Sequence, residues 1–138
     1  MGQHRAATPF DPAACGAALP HTDLLAVNEG EAAALARHLG TAPEALPVER
    51  VLLTLGARGA RLHGPGGTVE RPAFAVAPVD TTGAGDCFLG TALAALDAGL
   101  GGAGALEAAA AAAAIAVTRH GASTAMPSRA ETDAFLAR

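Results

Sequence analysis

The run Asp80-Thr81-Thr82-Gly83-Ala84-Gly85-Asp86 passes directly into an Ala/Leu-rich stretch, and no other seven positions restrict the chain as much. Small residues let a backbone turn tightly and come close to a ligand. A helix starting there points its unpaired N–H groups and the positive end of its dipole into the turn. A plain anion site has no use for a carboxylate at that spot, whereas an enzyme that moves a phosphoryl group onto a hydroxyl needs a base there. Asp86 by itself therefore has two readings: a general base beside an anion cradle, or an acidic residue that complements the helix dipole.

Around this run, short apolar segments alternate with helical ones. Asp23-Leu24-Leu25-Ala26-Val27 and Val51-Leu52-Leu53-Thr54-Leu55 read as buried strands. Asn28 follows the first and, with Glu31 three residues on, predicts a capped helix to about His38, stopped by Gly40 and Pro43. Ala60 to His63 and Thr68 to Arg71 flank Gly64-Pro65-Gly66-Gly67 and predict a hairpin. Helices are expected from Gly85 to about Ala98, from Ala105 to about Thr118, and after Pro127 with Ser128 as cap. The first twenty residues carry Pro9, Pro12 and Pro20 and no period. Strand–helix–strand alternation followed by helices indicates an α/β layered domain with a largely parallel sheet.

The 138 residues are the length of one ordinary domain. A formal charge of −4, with Arg in place of any Lys, leaves no footprint for nucleic acid and no polybasic membrane patch. The most apolar stretch, Ala108 to Val117, falls well short of the ~20 residues a bilayer needs. Cys15 and Cys87 follow no metal or disulfide spacing, so two free thiols in a reducing, cytoplasmic setting are expected. A chain without Lys has no P-loop, and Gly99-x-Gly101-x-x-Gly104 follows a helix, so it reads as an interhelical turn and not as a dinucleotide fingerprint.

With its flanking residues, D-T-T-G-A-G-D resembles the C-terminal signature of the ribokinase-like (PfkB) carbohydrate kinases, and residues 115–122, I-A-V-T-R-H-G-A, are similar to the ribokinases among them. The resemblance implies a three-layer ribokinase-like α/β fold with a mainly parallel sheet, its C-terminal part only. It also implies ATP-dependent phosphorylation of a sugar hydroxyl, with a pentose as first choice. Asp86 would be the catalytic base, and the amides of Gly83, Ala84 and Gly85 an anion hole. Asn28-Glu29-Gly30-Glu31 matches the family's N-x-x-E, where the Asn touches nucleotide phosphates and the Glu helps to hold Mg²⁺ through water. On spacing alone the same two residues are no more than a helix cap. Thr54-Leu55-Gly56-Ala57-Arg58-Gly59 matches the family's T-L-G-x-x-G and would line the ATP site with Gly85 and Asp86, leaving Arg58 open to a phosphate contact or a surface role. Asp80, the carbonyl of Thr82 and the carbonyls of Ala116, Arg119 and Gly121 would hold an activating monovalent cation, K⁺. Two positions depart: Ala125 stands where ribokinases commonly carry Ser, and Ala110 where a polar residue often borders the adenine.

The resemblance runs from about Pro9 to Arg138, so residues 1–138 read as the ATP-binding, catalytic portion of such a domain. It sets the start of the chain inside the fold, with Ala7 to Pro12 as the loop after a mid-chain strand and the sugar-binding half and β lid before it. Such a chain alone is expected to expose a sheet edge, to associate with a partner or with itself as a homo-oligomer, and to turn over weakly. The acceptor hydroxyl must after all be held within about 3 Å of the base. The alternative to a working kinase is a remnant that binds nucleotide or a partner chain without transferring phosphate.

Overall fold

The structure, a computed structural model, describes residues 10–138; Ala7 to Pro9 of the expected entry loop lie outside them. In β1 (Leu24–Asn28) and β2 (Arg50–Thr54) apolar side chains point to both faces, as strands covered on two sides require. They pair in parallel, with Leu25 opposite Val51 and Asn28 opposite Thr54. β3 (Ala60–Gly64) and β4 (Gly67–Arg71) are apolar on one face only and form the expected hairpin, turning at Pro65 and Gly66.

The sheet order is β1-β2-β3-β4, and both β2–β3 and β3–β4 are antiparallel. The mainly parallel sheet expected from the sequence is thus, among the described residues, a mixed one. Connection length explains the difference. Only Leu55 to Gly59 separate β2 from β3, too little chain for the crossover that a parallel pair needs.

Helices on both faces complete three layers. On one face α1 (Pro12–Ala18) and α2 (Glu29–Leu39) meet the sheet, and Ala32 and Leu35 of α2 pack on Leu25, Val27 and Val51. On the other, Phe88 and Ala92 of α3 (Ala84–Asp97) and Leu106 and Ala109 of α4 (Gly102–Val117) cover Leu52, Ala60 and Leu62. Alanine is the best helix former and the smallest side chain with a Cβ, so the run in α4 lets α3 and the sheet come close. Leu35, Leu52 and Leu106 are fully enclosed, positions where truncation to Ala costs about 2–5 kcal/mol. α5 (Arg129–Leu136) packs on α4 and is capped as expected by Ser128.

Helix α1 has no counterpart in the sequence reading, because seven residues are too few to show a period. Its start was nonetheless encoded: Asp11 accepts hydrogen bonds from the N–H groups of Ala13 and Ala14, with Pro12 at the first helical position.

Candidate active site

The C-terminal ends of β1 and β2, the start of α3 and one side of α4 enclose a cavity of about 600 Å³. That volume suits a small-molecule ligand, and the place is where open α/β sheets bind theirs. Asn28, Thr54, Gly56, Ala57 and Gly59 line it from the strand ends, Ala84 and Gly85 from α3, and Ala110 and Ala114 from α4. The sequence-predicted residues therefore converge from three separate stretches of chain. Among the described residues no charged side chain lines the cavity, so its attraction for an anion comes from the N-terminus of α3.

Gly83 makes that helix start possible. Its φ of 75° is left-handed, and a Cβ there would sit 3.2 Å from the Cβ of Ala122. The expected three-amide hole is altered in one respect: the N–H of Ala84 donates to the Thr81 carbonyl at 3.2 Å. The amides of Gly85 and Asp86, also in the first turn, remain as donors without an intrahelical partner. Gly85 faces open space, with no atom within 4 Å of a Cβ built on it. Asp86 is exposed in the same turn, beside the cavity but outside its lining.

Asn28 and Glu31 form the capping box in full. The Asn28 Oδ1 accepts from the Glu31 N–H at 2.9 Å, and a Glu31 carboxylate oxygen accepts from the Asn28 N–H at 2.9 Å. Because Oδ1 faces the helix, the amide nitrogen of Asn28 is the group left to donate to a ligand. Leu55 and Arg58 do not line the cavity. Arg58 turns to the surface and pairs with Glu29, the first residue of α2.

Asp80 works across the chain. One carboxylate oxygen accepts from the Thr82 N–H and the other from the Gly121 N–H, each at 2.9 Å. Hydrogen bonds from Thr82, then Gly121, hold its carboxyl down at about 2. The N–H groups of Val79 and Asp80 both donate to the Val117 carbonyl, which binds the signature to the end of α4. The turn carrying Ala116, Arg119 and Gly121 is thereby brought to Asp80 and Thr82. The carbonyl of Ala116 also accepts from the Arg119 N–H at 3.1 Å, which leaves it one lone pair for a cation. Ala125, at the Ser position of ribokinases, is buried in the interior.

The one free carboxylate oxygen of Glu31 is a hard ligand of the kind a largely hydrated cation accepts. Among the described residues no three His, Cys, Asp or Glu side chains gather at one point, and Glu31 has one oxygen occupied by its own cap and one left over. Cys15 and Cys87 are both free, and burial pushes each thiol up. Among the described residues no helix is long and apolar enough to cross a membrane. Sequence reasoning missed the segment between Pro72 and Pro78, which lines the cavity with Phe74 and Val76 although it forms no strand. Its unbroken apolar run between two prolines was the available signal.

Residues 5–129 match the pfkB family carbohydrate kinase model. A ribokinase of Bacillus subtilis (strain 168) is 38% identical over 120 residues, 86% of this chain and 41% of the relative. A Burkholderia thailandensis nucleoside kinase in complex with inosine superposes with a TM-score of 0.84 at 31% identity, over 93% of this chain and 44% of that one. An Escherichia coli protein described as a ribokinase II, in complex with ATP and Mg²⁺, gives a TM-score of 0.77 at 29% identity, over 91% and 42%. Fold and site together define a ribokinase-like α/β protein. The chain belongs to the pfkB family of carbohydrate kinases, and it spans less than half the length of these relatives.

Proposed function

We propose that this chain supplies the ATP-binding and phosphoryl-transfer portion of a ribokinase-like sugar kinase. The observation that carries the reading is the cavity in which Asn28, Thr54 and Gly85 meet at the α3 N-terminus, with Asp86 beside it. The Asp86 carboxylate takes the proton of the acceptor hydroxyl as that oxygen bonds to the terminal phosphorus of ATP and the bond to the ADP oxygen breaks. The amides of Gly83, Gly85 and Asp86 hold the transferring anion, with Ala84 joining them only if it releases Thr81. Asn28 donates to the phosphates, and Thr54 to Gly59 border the nucleotide. Mg²⁺, reached from Glu31 through water, would neutralise charge between the phosphates. Asp80 and the carbonyls of Thr82, Ala116, Arg119 and Gly121 would hold K⁺, whose charge would steady the turn before α3.

The acceptor is a primary hydroxyl of a pentose or a pentose-bearing molecule, a reading supported by the ribokinase relative and the inosine-bound nucleoside kinase alike. The test is ADP formation with ATP, Mg²⁺ and either D-ribose or inosine. Asp86→Asn should lower turnover by roughly 10²–10⁴-fold while ATP still binds. Full turnover in that variant would sink the base assignment. A second reading, nucleotide binding without transfer, is favoured by the place of Asp86 outside the lining of the cavity. An ATP-induced rise in melting temperature with no phosphorylated acceptor supports that one.

A further inference from the structure

One wall of the cavity is formed by Ala73 to Val76 and Pro78, in a segment that has no regular secondary structure. Among the described residues, backbone hydrogen bonds fix it only at its two ends. Arg71 belongs to the β3–β4 ladder, and Val79 donates to the Val117 carbonyl. Between those anchors Pro72 and Ala73 lie close against Gly59, and further along Phe74, which lines the cavity and is 38% exposed, meets Phe135 edge-to-face, with ring centroids 5.1 Å apart and planes at 85°. Phe135 lies on α5 and does not line the cavity. Arg138 stacks its guanidinium over the Phe135 ring at 5.7 Å, and α5 is tied to the end of α4 by Arg119 and Glu131 at 2.7 Å.

Beyond Ala73, the cavity-lining Phe74 samples more positions once its ring contact with Phe135 is lost. We infer that Phe135 is a positioning residue for the nucleotide: acting through Phe74, it sets the outer wall of the cavity without touching the ligand. The inference rests on the proposed nucleotide site and goes beyond it, since it makes the C-terminal helix part of the binding apparatus. Edge-to-face pairing is directional, so an aromatic side chain at 135 is required and an aliphatic one of similar bulk does not replace it.

The test is Mg·ATP affinity by calorimetry on the whole chain, with melting temperature without nucleotide measured in parallel. Phe135→Leu should weaken binding roughly 3- to 10-fold, the span expected from losing one aromatic pair, while Phe135→Tyr keeps it near the starting value. Phe74→Leu should weaken it similarly, and the double variant should be no weaker than the worse single one. A lower melting temperature with unchanged affinity in Phe135→Leu overturns the inference and leaves the proposed function intact. Additive losses in the double variant overturn the route through Phe74. A chain that binds no Mg·ATP at all overturns the proposed function and this inference together.

Discussion

The starts of α2 and α5 are built alike and serve different ends. Each opens on a capping box, Asn28 with Glu31 and Ser128 with Glu131, and in each the two hydrogen bonds run in both directions. At α5 the glutamate carries a further bond to Arg119, and the box clamps one helix to another. At α2 the cap stands at the end of a parallel strand and lines the cavity. Under the proposed function, a polar residue every helix could use as a cap also serves as a phosphate donor through its place in the sheet, and the cap is not given up for it.

The two boxes can be pulled apart by substitution. The largest effect is expected from Asn28→Asp, which keeps a capping oxygen but replaces the amide donor with a charge facing the cavity. Stability should stay within about 0.5 kcal/mol, because Asp and Asn cap almost equally well. Mg·ATP affinity should fall at least roughly tenfold, as expected for a charge-assisted hydrogen bond turned into repulsion. Ser128→Ala should do the reverse, losing about 1 kcal/mol in chemical denaturation with nucleotide affinity unchanged. Equal loss of affinity in both variants would erase the distinction between the boxes.

An intermediate effect is expected in acid. Hydrogen bonds from Arg119, then Ser128, lower the Glu131 carboxyl from 4.5 to about 2. The unfolded chain therefore takes up that proton first as pH falls. The contribution of Glu131 to stability is complete above about 4.5 and is lost as pH drops towards 2. Asp80, held down to about 2 as well, loses its contribution as pH drops from about 3.8 towards 2. Glu131→Gln should make the fall in melting temperature between these pH values shallower, and an unchanged acid limb would count against the clamp at α5. The smallest effect is expected from Arg58→Ala. Its pair with Glu29 is exposed on both sides and screened by solvent, so the melting temperature should barely move. Nucleotide affinity should change no more than about twofold if Arg58 stays on the surface, and a larger loss would return it to the phosphates.

Much of this arrangement was legible in the sequence because it is local. Both capping boxes, the glycine stop after α2, the β3–β4 hairpin and the turn into α3 each follow from residues within a few positions of one another. The meeting of Asn28, Thr54 and Gly85 in one cavity was legible only through the family resemblance, since no local rule brings three distant stretches together. The sense of β3 was missed in the overall class of the sheet although the short link from Leu55 to Gly59 already forbade a crossover. Contacts between side chains far apart in the chain left no trace at all. Phe74 and Phe135, Arg58 and Glu29, and the spending of the Ala84 amide on Thr81 depend on packing that one-dimensional pattern does not carry.

The bond from the Gly121 N–H to Asp80 joins residues 41 positions apart, and Ala122 is the neighbour that keeps Gly83 free of a side chain. The seven-letter signature is therefore not self-sufficient: it has two silent members near the other end of the domain. A lineage could keep every letter from 80 to 86 and still forfeit the turn by changing 121 or 122. Across relatives, those two positions should drift in step with 80 and 83, and a motif search that stops at Asp86 would overlook the loss.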